Sequence, residues 1–182
     1  MLGAAQEAWL LDGLTRSQAR WNVLGQDVMM AQLRERQADG SIAFWTDAWD
    51  GYPAARTRLL RHLHERRVAN PVVLSGDIHS FWANALKLDF DDAASPAVAT
   101  EFVGTSITSN GPSFDRFQGF LPDNPHIRFF DSRVRGYGTV ELTAERLTAR
   151  FRAISDRRDP HATVATLRTF VVEDGRPCPM PG

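Results

Sequence analysis

The segment PVVLSGD at positions 71–77 constrains this chain more than any other stretch. Val72, Val73 and Leu74 follow at once on the helix stop Asn70-Pro71, and a Gly-Asp pair closes the run. A short, β-branched apolar run bounded by turn residues predicts a strand buried on both faces. The segment before it opens at Pro53, a residue suited to the first turn of a helix. AARTRLLRHLHERR then carries Ala55, Leu59 and Leu63 on one face and Arg58, Arg61 and Glu65 on others. Helix, stop, buried strand and Gly-Asp together form the pattern of an α/β layer. Where the helix packs on the strand, Leu59, Leu63, Val72, Val73 and Leu74 are the expected core. Ligands of open α/β sheets gather where strands end, and Asp77 stands at such an end.

The remaining pattern is mixed and turns to strands in its second half. Ala4 to Leu14 sets Ala8, Leu11 and Leu14 on one side at helical spacing, which predicts a short amphipathic helix. WNVLGQDVMM (21–30) predicts a buried strand and SIAFW (41–45) a short one. FWANALKL, AVATEFV, IRFFDSRV, YGTVELT, LTARFRAI and ATLRTFVVE follow as strands separated by Gly, Pro, Asp and Asn. In the fifth of these, Leu147, Ala149, Phe151 and Ala153 alternate with Thr148, Arg150 and Arg152, the period of a strand with one wet face. Ser106 to Asn124 reads as a long loop with possible helical turns, a kind that is often functional. With 182 residues the chain is long enough for one domain with a real core. That domain is expected to span residues 1–177, with a flexible tail at 178–182.

Composition excludes several function classes. Net charge is −1, so no global field points to nucleic acid or an acidic membrane surface. Arginine outnumbers lysine twenty to one, with Lys87 the single lysine, but the arginines are spread over predicted surfaces and form no patch. One cysteine, Cys178, can build neither a disulfide framework nor a zinc knuckle. No stretch approaches the roughly 20 apolar residues of a membrane span, and MLGAAQEAWL lacks the layout of a signal peptide.

Two clusters could carry chemistry. In Ser75-Gly76-Asp77-Ile78-His79-Ser80, Asp77 and His79 stand just past the buried strand. A carboxylate oxygen and an imidazole nitrogen aimed into one cleft suit zinc, iron, manganese or calcium, and Gly76 would let the backbone turn and approach a ligand. The other reading is a turn cap at Asp77 with a hydrogen-bonded His79. Two ligands do not hold a catalytic metal, which needs at least three. His62, His64, His126 and His161 lie among arginines or in polar loops and are expected at the surface. The second cluster runs from Trp45 to Arg56, where aromatics, carboxylates and an arginine crowd a strand-to-helix turn. A helix N-terminus can bind an anion and Arg56 could add a bidentate grip. That makes Trp49, Asp50, Tyr52 and Arg56 the candidate substrate-binding residues, in a turn expected to border the cleft of Asp77 and His79. A packed aromatic turn with Asp50 as helix cap fits the same spacing.

The runs DAWDGYPAARTRLL, NPVVLSGDIHSFWANAL and SPAVATEFVGTSITSNG resemble the PhoD-like alkaline phosphatases. So do QEAWLLDGL, SQARWNVLGQ and GYGTVELTAERLTARFRAI…TFVVEDGRP, in the same order from Leu2 to about Pro177. The resemblance implies an α/β (α+β) fold, part of the two-sheet α/β/β/α sandwich of the calcineurin-like metallophosphoesterases. It implies metal-dependent hydrolysis of phosphate mono- or diesters, with iron and calcium as cofactors and a phosphate ester as substrate. Asp77 and His79 are the metal ligands it assigns to this chain; His79 would hold a metal or steady the leaving oxygen. It also implies an exported protein, usually by the twin-arginine route. The family's other ligands come from motifs upstream of QEAWL, and none of those motifs is here. The chain therefore resembles a truncated product, a mis-called start or one part of a split enzyme. It is expected to lack an N-terminal half and to expose excess apolar surface. The alternative is an inactive remnant or a non-enzymatic binding fragment.

Overall fold

The helix that opens at the proline runs Pro53–Glu65 (α2) in the computed structural model, which describes residues 1–182. It turns Leu59, Leu60 and Leu63 inward, a stripe at i, i+1 and i+4 that matches the helical period. The strand it was expected to cover follows at Pro71–Gly76 (β4). Val72 and Val73 are fully buried, while Leu74 is only half-buried, because the strand is leaving the core as it approaches its end.

β4 has parallel neighbours on both sides, β1 (Asn22–Val28) and β6 (Ala97–Val103). β5 (Phe81–Lys87) pairs antiparallel with β6, and β7 (Ile127–Asp131) with β5. The sheet order is β1-β4-β6-β5-β7. A second, antiparallel sheet is built from β8 (Arg135–Leu142), β9 (Arg146–Ile154), β10 (Val164–Glu173) and β11 (Met180–Pro181), in the order β11-β10-β9-β8. The C-terminal residues are thus a strand and not the flexible tail the prolines suggested: Met180 and Pro181 pair with Val171 and Phe170, and the Gly182 amide donates to the Thr169 carbonyl at 3.1 Å. SIAFW yields only the two-residue β3 (Ile42–Ala43), paired with β2 (Glu35–Arg36). α1 (Ala4–Arg16) packs beside α2, and α3 (Phe114–Gln118) forms inside the long loop, with the Ser113 hydroxyl accepting from the Arg116 amide.

The inner strands β4, β6 and β5 are covered on both faces, whereas β1 at the edge alternates between covered and exposed residues and is not the buried strand expected of it. Strand alternation divides the sheet's residues between two cores. Val73, Trp82, Leu86, Ala99 and Val103 face Leu59, Leu60, Leu63 and Phe117 on the helical side. Val72, Phe81, Ala83 and Phe102 face Leu147, Ala149, Phe151, Phe170 and Val172 of the second sheet. Phe81 and Phe151 stack across that interface with ring centroids 4.6 Å apart. Each such buried side chain contributes about 1.5–3 kcal/mol of transfer free energy.

His126 departs from the surface position expected of it. It is 3% exposed, its Nε2–H donates to the Gln32 carbonyl at 2.7 Å, and its Nδ1 has no partner. Burial, reinforced by the nearby charges of Lys87, Arg56 and Arg34, lowers its pKa from 6.5 to about 4. A folded-state value below the unfolded one means stability that is present above about pH 6.5 and is lost as pH falls toward 4. The loss reaches roughly 3 kcal/mol. Urea melts of a His126→Gln variant across that window should lack this part of the acid sensitivity. Parallel pH slopes in the two proteins would contradict the assignment.

Candidate active site

β4 runs out at Gly76, and the chain then takes an irregular path. Asp77 and His79 both lie in the left-handed region, at φ 67° and 56°. Asp and His tolerate this better than most residues, yet each such position costs on the order of 1–3 kcal/mol and clusters at functional sites. Gly76 is not the residue that makes the turn: its φ is ordinary, and an added Cβ would meet only carbonyl oxygens at 3.9 Å. Ile78, between the two, is buried in the helical-side core, so Asp77 and His79 are turned outward together.

They line one cleft of about 700 Å³ with Phe44, Trp45, Asp47 and Arg116. It lies at the C-terminal end of the three parallel strands β1, β4 and β6, where an α/β sheet collects its ligands. A second hollow of about 670 Å³ lies at the other end of β4, around Arg67–Pro71 with His64, Glu65 and Asp174, away from the strand ends where ligands of such sheets gather. The His79 Nδ1 stands 2.9 Å from the Asn110 carbonyl oxygen. A carbonyl only accepts, so Nδ1 carries the proton, and in the neutral ring Nε2 is left as a bare acceptor. An exposed carboxylate oxygen and a neutral imidazole Nε2 are donor types that divalent cations accept. No third His, Cys, Asp or Glu of the chain converges with them. The remaining cleft charges are Asp47, missed by sequence reasoning although it lies inside the aromatic turn, and Glu35, whose carboxylate accepts from Arg116 at 2.9 Å.

The Trp49–Arg56 turn lies elsewhere. Trp49 is 2% exposed and its indole N–H donates to Gln26 Oε1 at 3.1 Å. The side chains of Asp50 and Arg56 are each 5% exposed and pair at 2.6 Å. Asp50 also accepts the Leu33 amide at 2.9 Å. Arg56 donates to the Met30 carbonyl and to Gln32 Oε1, and its guanidinium lies over the Phe90 ring at 5.0 Å. Burial pushes the Asp50 carboxyl above its usual range against the pull of Arg56. Asp50 does not cap α2 either, since that helix has no side-chain cap. Tyr52 is exposed at the helix start but does not line the cleft. Trp49, Asp50 and Arg56 are therefore a packed, charge-satisfied support: the indole N–H, the Asp50 carboxylate and both terminal nitrogens of Arg56 are engaged within the fold.

Sequence reasoning also passed over Glu101. It is 0% exposed in the middle of β6. Its two oxygens accept from the Met30 and Ala31 amides at 2.6 and 3.0 Å and from Ser75 Oγ and Asn84 Nδ2 at 2.9 Å each. Ser75 is two residues before Asp77, so the same carboxylate ties the end of β4 to the segment after β1. The signal was there to read: AVATEFV is an apolar strand with one acid in it.

The model of the PhoD-like phosphatases matches residues 1–151. The chain belongs to the PhoD-like phosphatase family. It is 38% identical over 176 residues to alkaline phosphatase D of Bacillus subtilis (strain 168), an alignment that covers 95% of this chain and 30% of that protein. A solved structure of PhoD superposes on it with a TM-score of 0.89 at 37% identity, over 99% of this chain and 35% of that one. This PhoD-like chain thus spans about a third of the length of the relatives it matches. Among its own helices, none is long and apolar enough to cross a membrane.

Proposed function

We propose that this chain supplies the Asp77–His79 part of a metal-dependent phosphoesterase centre whose other ligands lie on polypeptide outside it. The observation that carries the reading is the pair itself: an exposed carboxylate and a bare Nε2 facing one cleft at the end of β4. An ion with bound oxygen ligands would supply Lewis-acid polarisation of the phosphoryl group. Asp77 would hold it through a carboxylate oxygen, and His79 through Nε2, with the ring fixed by Asn110. Iron and calcium, phosphate mono- or diesters as substrates, and export by the twin-arginine route belong to the same proposal, on family resemblance. Phe44 and Trp45 offer an apolar wall on which the alcohol part of an ester can rest.

The need for further polypeptide has its own support. Trp9 is 72% exposed, Ile107, Phe44 and Val23 are open as well, and β1 ends the sheet with an unpaired edge. Of these, Trp9 and Val23 line one hollow beside the open β1 edge, and exposed apolar residues there suit a surface that is covered in a larger assembly.

The chain alone, supplied with iron and calcium, should hydrolyse neither p-nitrophenyl phosphate nor its bis-ester at a rate near that of the longer relatives. Joined to the N-terminal part of the Bacillus relative it should gain both metal and activity, and Asp77→Ala should remove both. Turnover by the chain alone at the relatives' rate, or full activity in the joined Asp77→Ala protein, would overturn the proposal.

A further inference from the structure

We propose that Arg135, at the start of β8, is a positioning residue that holds the His79 imidazole in its ligand-ready tautomer and direction. The proposal rests on the reading of His79 as a metal donor. Arg135 is far from the sequence motif and belongs to the other sheet, yet it is 8% exposed and aimed at the turn after β4. Its Nη1 donates to the His79 carbonyl at 2.6 Å and to Thr105 Oγ1 and Ser106 Oγ at 3.2 Å each. Its Nη2 donates to the Ser132 carbonyl. One planar fork therefore joins the His79 peptide, the segment after β6 and the segment between β7 and β8.

The geometry reaches the ring through Gly111. A Cβ at that position would overlap the His79 carbonyl oxygen and lie 2.9 Å from both terminal nitrogens of Arg135. The Asn110–Gly111 backbone therefore rests directly on the Arg135–His79 contact, and it is the Asn110 carbonyl that accepts the proton of His79 Nδ1 at 2.9 Å. His79 is gripped at two points: its main-chain carbonyl by Arg135 and its ring by Asn110. Its left-handed backbone, φ 56°, is a conformation that surrounding contacts have to impose. A hydrogen bond to the non-ligating nitrogen fixes tautomer and orientation in metal-binding histidines, and losing such outer contacts typically weakens metal affinity about 10–100-fold. Lysine cannot substitute, because a single ammonium does not reproduce a planar fork spread over four acceptors.

The test is the long-range ¹H–¹⁵N spectrum of the five histidines in the metal-free chain, above the range where imidazole titrates. In the unaltered chain His79 should be the Nδ1–H tautomer, and His126, held through its Nε2–H, reports on the fold. In Arg135→Lys, and separately in Gly111→Ala, His79 should lose the Nδ1–H signature and relax to the mixture of a free imidazole, with His126 unchanged. An unaltered chain without the Nδ1–H form, or either variant folded with His79 still in it, would overturn the proposal. If Arg135→Lys loses the His126 signal, Gly111→Ala decides by the same criterion. If that variant unfolds too, the contact serves the fold alone and the proposal fails. Because no metal is present, the outcome is separate from whether His79 binds one. The metal reading is tested by Mn²⁺ broadening at Asp77 and His79 of the unaltered chain.

Discussion

Glu101→Ala should destabilise the chain by roughly 3–5 kcal/mol, read from urea melts at neutral pH. The carboxylate has no counter-ion and is completely buried, so its four donors take the place of water. Burial raises its pKa, and the bonds from Met30, Asn84, Ala31 and Ser75 pull against that rise. Removing the carboxylate leaves two backbone amides and two side-chain donors facing a cavity, and the cost of each unsatisfied donor is about 1–3 kcal/mol. The damage should extend beyond the core, because Ser75 leads directly into Asp77. A loss below about 1 kcal/mol would mean that water or a rearranged side chain takes over these bonds.

Arg56→Ala should cost a similar amount, about 3–5 kcal/mol, by leaving Asp50 buried without its cation. The pH dependence separates this cause from simple loss of packing. Without Arg56, only the Leu33 amide still opposes the desolvation of Asp50, and its folded-state pKa rises further above the unfolded value. A raised folded-state pKa favours the native state below the unfolded value, and that favour is lost as pH rises through the folded value. The deficit of Arg56→Ala should therefore shrink in mildly acidic solution, where Asp50 can be neutral. Equal deficits at acid and neutral pH would contradict the ion-pair account.

These two residues mark where the sequence was legible and where it was not. Helix α2 and strand β4 could be read because their apolar spacing is local and the punctuation, Pro53 and Asn70-Pro71, is explicit. The strands of the second sheet were legible from period-two alternation, as in β9. Asp77 and His79 stand out because both follow a buried strand, and the structure places them in one cleft. The Trp49–Arg56 turn misled because rings and charges at a helix start look alike whether they face solvent or core. What decides is the company of Met30, Gln32, Leu33 and Phe90, which lie 15 or more residues away in sequence and reach the turn only through the fold. His126 misled for the same reason, since its acceptor Gln32 is 94 residues away. The C-terminal strand was hidden by its prolines, which are admissible in a strand at a sheet edge.

The central claim is that Asp77 and His79 act together as metal donors, and paramagnetic broadening by Mn²⁺ tests it most directly. A two-donor site is weak, but amide spectra report where the ion spends its time. Titrating the chain with Mn²⁺ should broaden resonances around Asp77, His79 and Asn110 first, and Asp77→Asn should remove that preference while leaving the spectrum otherwise folded. Broadening centred on another acidic stretch, such as Asp89 to Asp92, or a pattern unchanged by Asp77→Asn, would contradict the account.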